Sequence, residues 1–375
     1  MPPRSTAPAA PAARIPSLDG LRAVCILLVV IAHAHGTAGF PLVTHPLPLQ
    51  MLLHGMGEFG VRVFFVISGY LITSLLLHEE SKTGTVSLRG FYVRRIYRIF
   101  PAFYCFIAVV AVLAGTGVIV LHRRDLLYAV TFLMNYHPDH AWWVGHLWSL
   151  SVEEQFYLLW PSVLLLFGSR RALRVAGATL LLAPVVRVTL WKIWPGSLAG
   201  MPEYFPTTCD SIATGCVLSG ARSWLDASPR YLRALRSPAG ALLLPLALVV
   251  SLGSRYPSFN LPLGTSLANV LTVLHLDRVV RFPQTPDGRL LNTAPLRFIG
   301  GLSYSIYLWQ QLFLDRYATS PLPSLPLNLG LVAVASLLSY YGIEQTFLRL
   351  RTRRARSASL TGARNGLDPE PSPGG

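Results

Sequence analysis

Long apolar runs recur along nearly the whole chain, separated by shorter polar stretches that hold most of the charge. Ten segments follow from the pattern, at 22–39, 59–77, 99–121, 146–167, 173–190, 205–221, 239–253, 262–276, 297–314 and 327–346. About 20 apolar residues in a helix cross a ~30 Å hydrocarbon core. The pattern therefore predicts an all-α protein, a polytopic membrane bundle of about ten transmembrane helices. The stretch 125–136 is too short to span and is expected to be interfacial or re-entrant. No internal repeat and no pair of matching broken helices mark two transporter-like halves.

Composition agrees with this pattern. Of 375 residues 52% are hydrophobic and 13% charged, against about 25% charged in an average soluble domain. Three regions are expected: a disordered tail over 1–16, a membrane domain over 17–350, and a basic, then disordered tail over 351–375. The Pro-rich start does not resemble a signal peptide. The net charge of +15 would suit nucleic-acid binding, but the basic residues punctuate apolar spans, and topology accounts for them better. With the N-terminus placed in the cytoplasm, 25 Lys and Arg fall inside and seven outside. Both termini are therefore expected in the cytoplasm, the chain being multi-pass in a bacterial cytoplasmic membrane. Cys25, Cys105, Cys209 and Cys216 form no CxxC pair, so neither a disulfide framework nor a metal site is expected.

Arg22 and His33 stand out on the first apolar segment. Eleven helical steps return to within about 20° of the start, so both share one face, roughly 16 Å apart. If Arg22 marks the bilayer rim, His33 lies near the midplane, where an ionisable group is costly and a candidate for function. In the fourth segment His146, Glu153 and Tyr157 share a face. Glu153, about 10 Å below the outer rim, is expected at the depth of His33, where a carboxylate could orient the imidazole. Arg94 or Arg95 together with Arg98 presents guanidinium groups on one helical face. Positive-inside anchoring alone would place them there, but their register also suits phosphate contacts. Asp210, Tyr304 and Tyr307 are weaker candidates for lining an acceptor path, and packing explains them equally well. Ser68-Gly69 is expected to permit close helix packing.

Taken in order, these stretches resemble the acyltransferase-3 family of integral-membrane O-acyltransferases. The marks are the Arg-x10-His of Arg22 and His33, the run Gly60 to Tyr70, the run Arg94 to Pro101, and Leu147 to Tyr157. The resemblance covers about Ser17 to Arg351. It implies a bundle of about ten helices, acyl-CoA supplied from the cytoplasm, and a sugar-type hydroxyl acceptor. It also implies essential roles for Arg22 and His33, and a coenzyme role for Arg94, Arg95 and Arg98. Two positions depart from the family pattern. Gln310 stands where members often carry His, and Thr208 where a basic residue often precedes the Asp.

The expected activity is O-acyl transfer, of acetyl in kind, from acyl-CoA to a sugar hydroxyl. The acceptor would be a glycosylated natural product such as a macrolide, or a cell-envelope glycan. Acyl-CoA serves as co-substrate, and no permanently bound cofactor or metal is expected. Arg22, Arg94, Arg95 and Arg98 would hold its phosphates; His33 and Glu153 would be catalytic; Asp210, Tyr304 and Tyr307 would face the acceptor. The rival is a proton-coupled transporter or exporter of a glycosylated compound, which has no need of a phosphate pocket in register with a buried His.

Overall fold

The computed structural model describes residues 15–40, 47–198, 200–201, 203–317 and 324–354. All ten apolar segments lie largely on helix, the first and third running past helices that end at Ala34 and Gly115, and no strand occurs among the described residues. The helices are α1 (Pro16–Ala34), α2 (Leu47–Thr83), α3 (Leu88–Gly115), α4 (Leu147–Ile193) and α5 (Phe205–Asp226). They continue with α6 (Leu243–Ser251), α7 (Thr265–Arg281), α8 (Ala294–Phe313) and α9 (Leu327–Leu338). Beyond α9 a π turn, Ser339–Glu344, leads into helix that runs on to Arg354. Two predicted segments, 146–167 and 173–190, fall within α4, which breaks at Gly168 with φ 74°. By length and composition, five helical stretches suffice to cross a bilayer. The number becomes six if the bent pair Pro229–Arg236 and Pro238–Ser251 forms one span. α5, α7 and α8 are not among these stretches; each buries a polar side chain within the bundle, Asp210, Asn269 and Gln310 respectively.

Boundaries shift at both ends of the chain. Pro16 opens α1 at a first-turn position, where its missing N–H costs nothing and its fixed φ favours the helix. The first span thus begins six residues before Arg22. At the other end Arg351–Arg354 are helical. Residues 1–14 and 355–375, expected as disordered tails, lie outside the described residues.

α1 packs between α2 and α8. At Gly300 a Cβ would meet the Asp19 carbonyl oxygen at 1.7 Å, so only glycine lets α8 approach α1 this closely. Gly69 does the same where α2 crosses α5: a Cβ would stand 1.9 Å from the Ile212 carbonyl oxygen. The expected close packing at Ser68-Gly69 is therefore present. Between α3 and α4 the short segment is compact, with a helix at Asp125–Val130 and a 3-10 turn at Met134–Tyr136. Its organising group is the buried Asp125 carboxylate, which accepts from the His122 and Ala141 backbone N–H groups at 2.7 and 3.2 Å. Nε2 of His137 lies 2.9 Å away on the same carboxylate.

Candidate active site

His33 is the penultimate residue of α1. It therefore sits at the far end of that helix and not at its middle, because the helix starts at Pro16. Its Nδ1 lies 2.8 Å from Oε1 of Gln310 on α8. With Nδ1–H donating to that oxygen, Nε2 keeps its lone pair. Trp142 meets the imidazole edge-on at 5.6 Å, and the Arg316 guanidinium lies 4.7 Å from the centre of the same indole. Arg316 also donates to the Ala32 carbonyl at 3.2 Å, while its Nε is buried without a hydrogen-bond partner among the described residues. One imidazole nitrogen is thus fixed and the other is left for chemistry.

Glu153 does not orient His33. Its carboxylate accepts from the Ser68 hydroxyl at 2.5 Å, and Tyr157 donates to the same Ser68 oxygen at 3.1 Å. Its electrostatic neighbours are Arg95 and Arg22, and Arg22 stands about 16 Å below His33 along α1. The expected common depth fails for two reasons: α1 starts earlier than the apolar run, and the α4 register brings Glu153 to Ser68. Glu153 belongs to the arginine layer.

That layer joins three helices. Arg22 comes from α1, Arg95 and Arg98 from α3, and Arg22 and Arg95 both bear electrostatically on Arg98. The Arg95 guanidinium lies 3.9 Å from the centre of the Tyr157 ring. Nε of Arg22 is buried with no hydrogen-bond partner among the described residues. Arg98 stays exposed, with Arg22, Arg95, Tyr157 and Glu344 as its electrostatic neighbours. None of the three forms an ion pair with a carboxylate among the described residues. Arg94 is different: it pairs with Glu79 at 3.0 Å on an exposed face, away from the cluster. The structure thus brings Arg22, Arg95 and Arg98 together and sets Arg94 apart.

The three acceptor-side candidates are occupied in packing. Asp210 is buried and accepts from Arg187 at 2.9 Å. Tyr304 donates to the Ile99 carbonyl at 2.9 Å, and Tyr307 donates to the His146 carbonyl at 2.7 Å while Ser149 lies 2.6 Å from its oxygen. Each polar tip has a partner inside the bundle, although the second carboxylate oxygen of Asp210 is buried without one among the described residues. Sequence reasoning missed Gln310, Trp142 and Arg316 as surroundings of His33, and Ser68 as the partner of Glu153. Gln310 alone gave a signal, as a polar residue in an apolar span. Outside the spans, burial and the Glu58 carboxylate hold Glu203 up to about 7. His140, 4.0 Å from Glu203, is pushed down by its own burial. No metal-binding group of His, Cys, Asp or Glu occurs among the described residues.

An imidazole with one free nitrogen, joined by a rigid helix to an unpaired arginine cluster, suits group transfer from a phosphorylated donor. The chain belongs to the acyltransferase-3 family: residues 15–343 match its model, described as an acyltransferase domain. Among similar proteins is the peptidoglycan O-acetyltransferase OatA of Listeria monocytogenes, 29% identical over 324 residues, which cover 79% of this chain and 48% of the relative. A putative peptidoglycan O-acetyltransferase, YrhL, of Bacillus subtilis is 31% identical over 323 residues, covering 79% of this chain and 48% of its own length. A putative O-acetyltransferase of Staphylococcus aureus strain COL is 28% identical over 372 residues, or 89% of this chain and 57% of its own. The chain thus spans about half the length of the curated relatives it matches. No solved structure matches.

Proposed function

We propose that this chain is a membrane O-acetyltransferase that takes an acetyl group from acetyl-CoA and passes it to a sugar hydroxyl of a cell-envelope glycan. The observation that carries the reading is the pairing of two sites on one helix. Arg22 lies in a cationic cluster with no ion-pair partner among the described residues, and His33, eleven residues on, has Nδ1 bonded and Nε2 free. Anionic phosphates compensate the clustered guanidiniums. The extended phosphopantetheine arm is suited to bridge the roughly 16 Å from there to His33. Positive-inside bias supports an orientation with the arginine layer toward the cytoplasm, where acyl-CoA is made, and both termini on that side. The membrane would then be the bacterial cytoplasmic membrane.

The chemistry follows from the free nitrogen. Nε2 of His33 takes the proton of the acceptor hydroxyl as its oxygen attacks the thioester carbonyl. The carbon–sulfur bond breaks, and the coenzyme thiolate leaves with the proton returned by the imidazolium. A transient acetyl-imidazole would use the same nitrogen. The acceptor named for the relatives from Listeria and Bacillus is peptidoglycan. That favours an envelope glycan over a glycosylated natural product.

The test is transfer of labelled acetyl from acetyl-CoA into a panel that includes peptidoglycan fragments, using membranes with and without the protein. His33→Ala abolishes transfer at unchanged membrane level. Near-normal turnover in that variant returns His33 to a packing role.

A further inference from the structure

The N-terminal half of α8 and the π turn that follows α9 enclose an open groove of about 310 Å³. One α8 face supplies Arg297, Phe298 and Gly301, and the π turn supplies Tyr340 and Tyr341. Consecutive residues on an α-helix diverge by about 100°, yet here both tyrosines line the groove, with rings 5.0 Å apart. π turns of this kind are frequent at functional sites. The Arg297 side chain and the two tyrosine hydroxyls make no hydrogen bond or ion pair among the described residues. The groove also connects to the arginine layer. Ser305, one turn beyond Gly301, donates to the Glu344 carboxylate at the end of the π turn. Glu344 in turn acts electrostatically on Arg98. The groove is thus linked to the cluster through Ser305 and Glu344.

We propose that this groove holds the adenosine 3′-phosphate end of the acetyl-CoA donor; this rests on the donor reading given above. Flat aromatic faces accept a purine by stacking whatever its edge pattern. A guanidinium without a partner suits the 3′-phosphate. The 5′-diphosphate then lies toward Arg98, Arg95 and Arg22, and the thioester arm follows α1. A groove built only to seat another apolar side chain would leave Arg297 and both hydroxyls without a purpose.

The experiment compares three donors on the full-length protein in nanodiscs: acetyl-CoA, acetyl-dephospho-CoA and S-acetyl-4′-phosphopantetheine. Wild type shows a lower KM for acetyl-CoA than for the phosphopantetheine derivative. Phe298→Ala and Tyr340→Ala raise the acetyl-CoA KM about tenfold or more and leave the phosphopantetheine KM unchanged. Arg297→Ala removes the preference for acetyl-CoA over acetyl-dephospho-CoA. Equal wild-type KM values for acetyl-CoA and the phosphopantetheine derivative overturn the groove assignment and leave the donor reading standing. Parallel losses on all three donors in the variants do the same, since they indicate a structural role. Transfer from none of the three by wild type overturns the donor reading itself.

Discussion

Arg187 and Arg98 carry the same side chain into the same bundle under opposite conditions. Arg187 is buried and saturated: Nε donates to Leu261 O at 3.0 Å, and Nη1 donates to Thr207 O and Asp210 at 2.7 and 2.9 Å. Its Nη2 donates to Ser266 at 2.9 Å. Arg278 is held likewise by Asp287 and the carbonyls of Leu235 and Ser237. Arg98 has Arg22 and Arg95 of its own sign beside it, with Glu344 acting on it as well, and it forms no ion pair among the described residues. A buried charge is tolerable when every donor is met. A cluster of like charges with no ion pair to hold it stores repulsion that an anionic ligand relieves. The first arrangement holds the fold, and the second is kept ready for binding.

Removing a saturated arginine gives the largest effect. Arg187→Ala leaves Asp210 buried without its cation and costs about 3–5 kcal/mol, read as a large drop in the thermal midpoint of detergent-purified protein. A midpoint within a degree or two of wild type erases the distinction. Arg98→Ala separates like charges instead, so the midpoint is unchanged or higher. The acetyl-CoA KM rises about tenfold or more with little change in kcat, because a phosphate contact is made in ground and transition states alike. A destabilised Arg98→Ala with an unaltered KM would make this cluster structural after all.

Carboxylates sharpen the contrast. Asp210 has its counter-ion, whereas Glu203 is half-buried near Glu58 and held up to about 7 from the usual 4.5. A folded-state value above the unfolded one gives stability that is complete below about pH 4.5 and lost as pH rises through about 7. Thermal midpoints measured across that window fall for wild type and stay flatter for Glu203→Gln. The smallest effect belongs to Arg94, paired with Glu79 on an exposed face. Arg94→Ala changes stability by less than about 1 kcal/mol and leaves the acetyl-CoA KM near wild type, which sets it apart from its neighbour Arg95.

Helix positions were legible in the chain because apolar runs need no knowledge of their neighbours. Depth was not. The run suggested a start near Arg22, and the overlooked signal was Pro16 six residues earlier, a first-turn proline that moves His33 to the end of α1. The partner of His33 comes from 277 positions away, a pairing no local period encodes. Tyr304 and Tyr307 were correctly placed on a helix, but their hydroxyls meet backbone carbonyls of α3 and the α4 approach. Such contacts depend on how helices cross. The arginine layer was readable as a cluster because its members lie on two short stretches; the loss of Arg94 to Glu79 required the α2–α3 turn.

A single unbroken helix carries Arg22 and His33, so α1 acts as a ruler whose graduations are backbone units. Side-chain substitutions along it can change what the passage admits but not its length. One inserted residue between the two would lift His33 by about 1.5 Å and swing it by about 100°, away from Gln310. On the donor reading, the distance from anchored phosphate to reacting carbonyl is therefore written in helix geometry. Evolving a longer or shorter donor would require re-registering α1 against α8, where Gly300 leaves no room for a side chain.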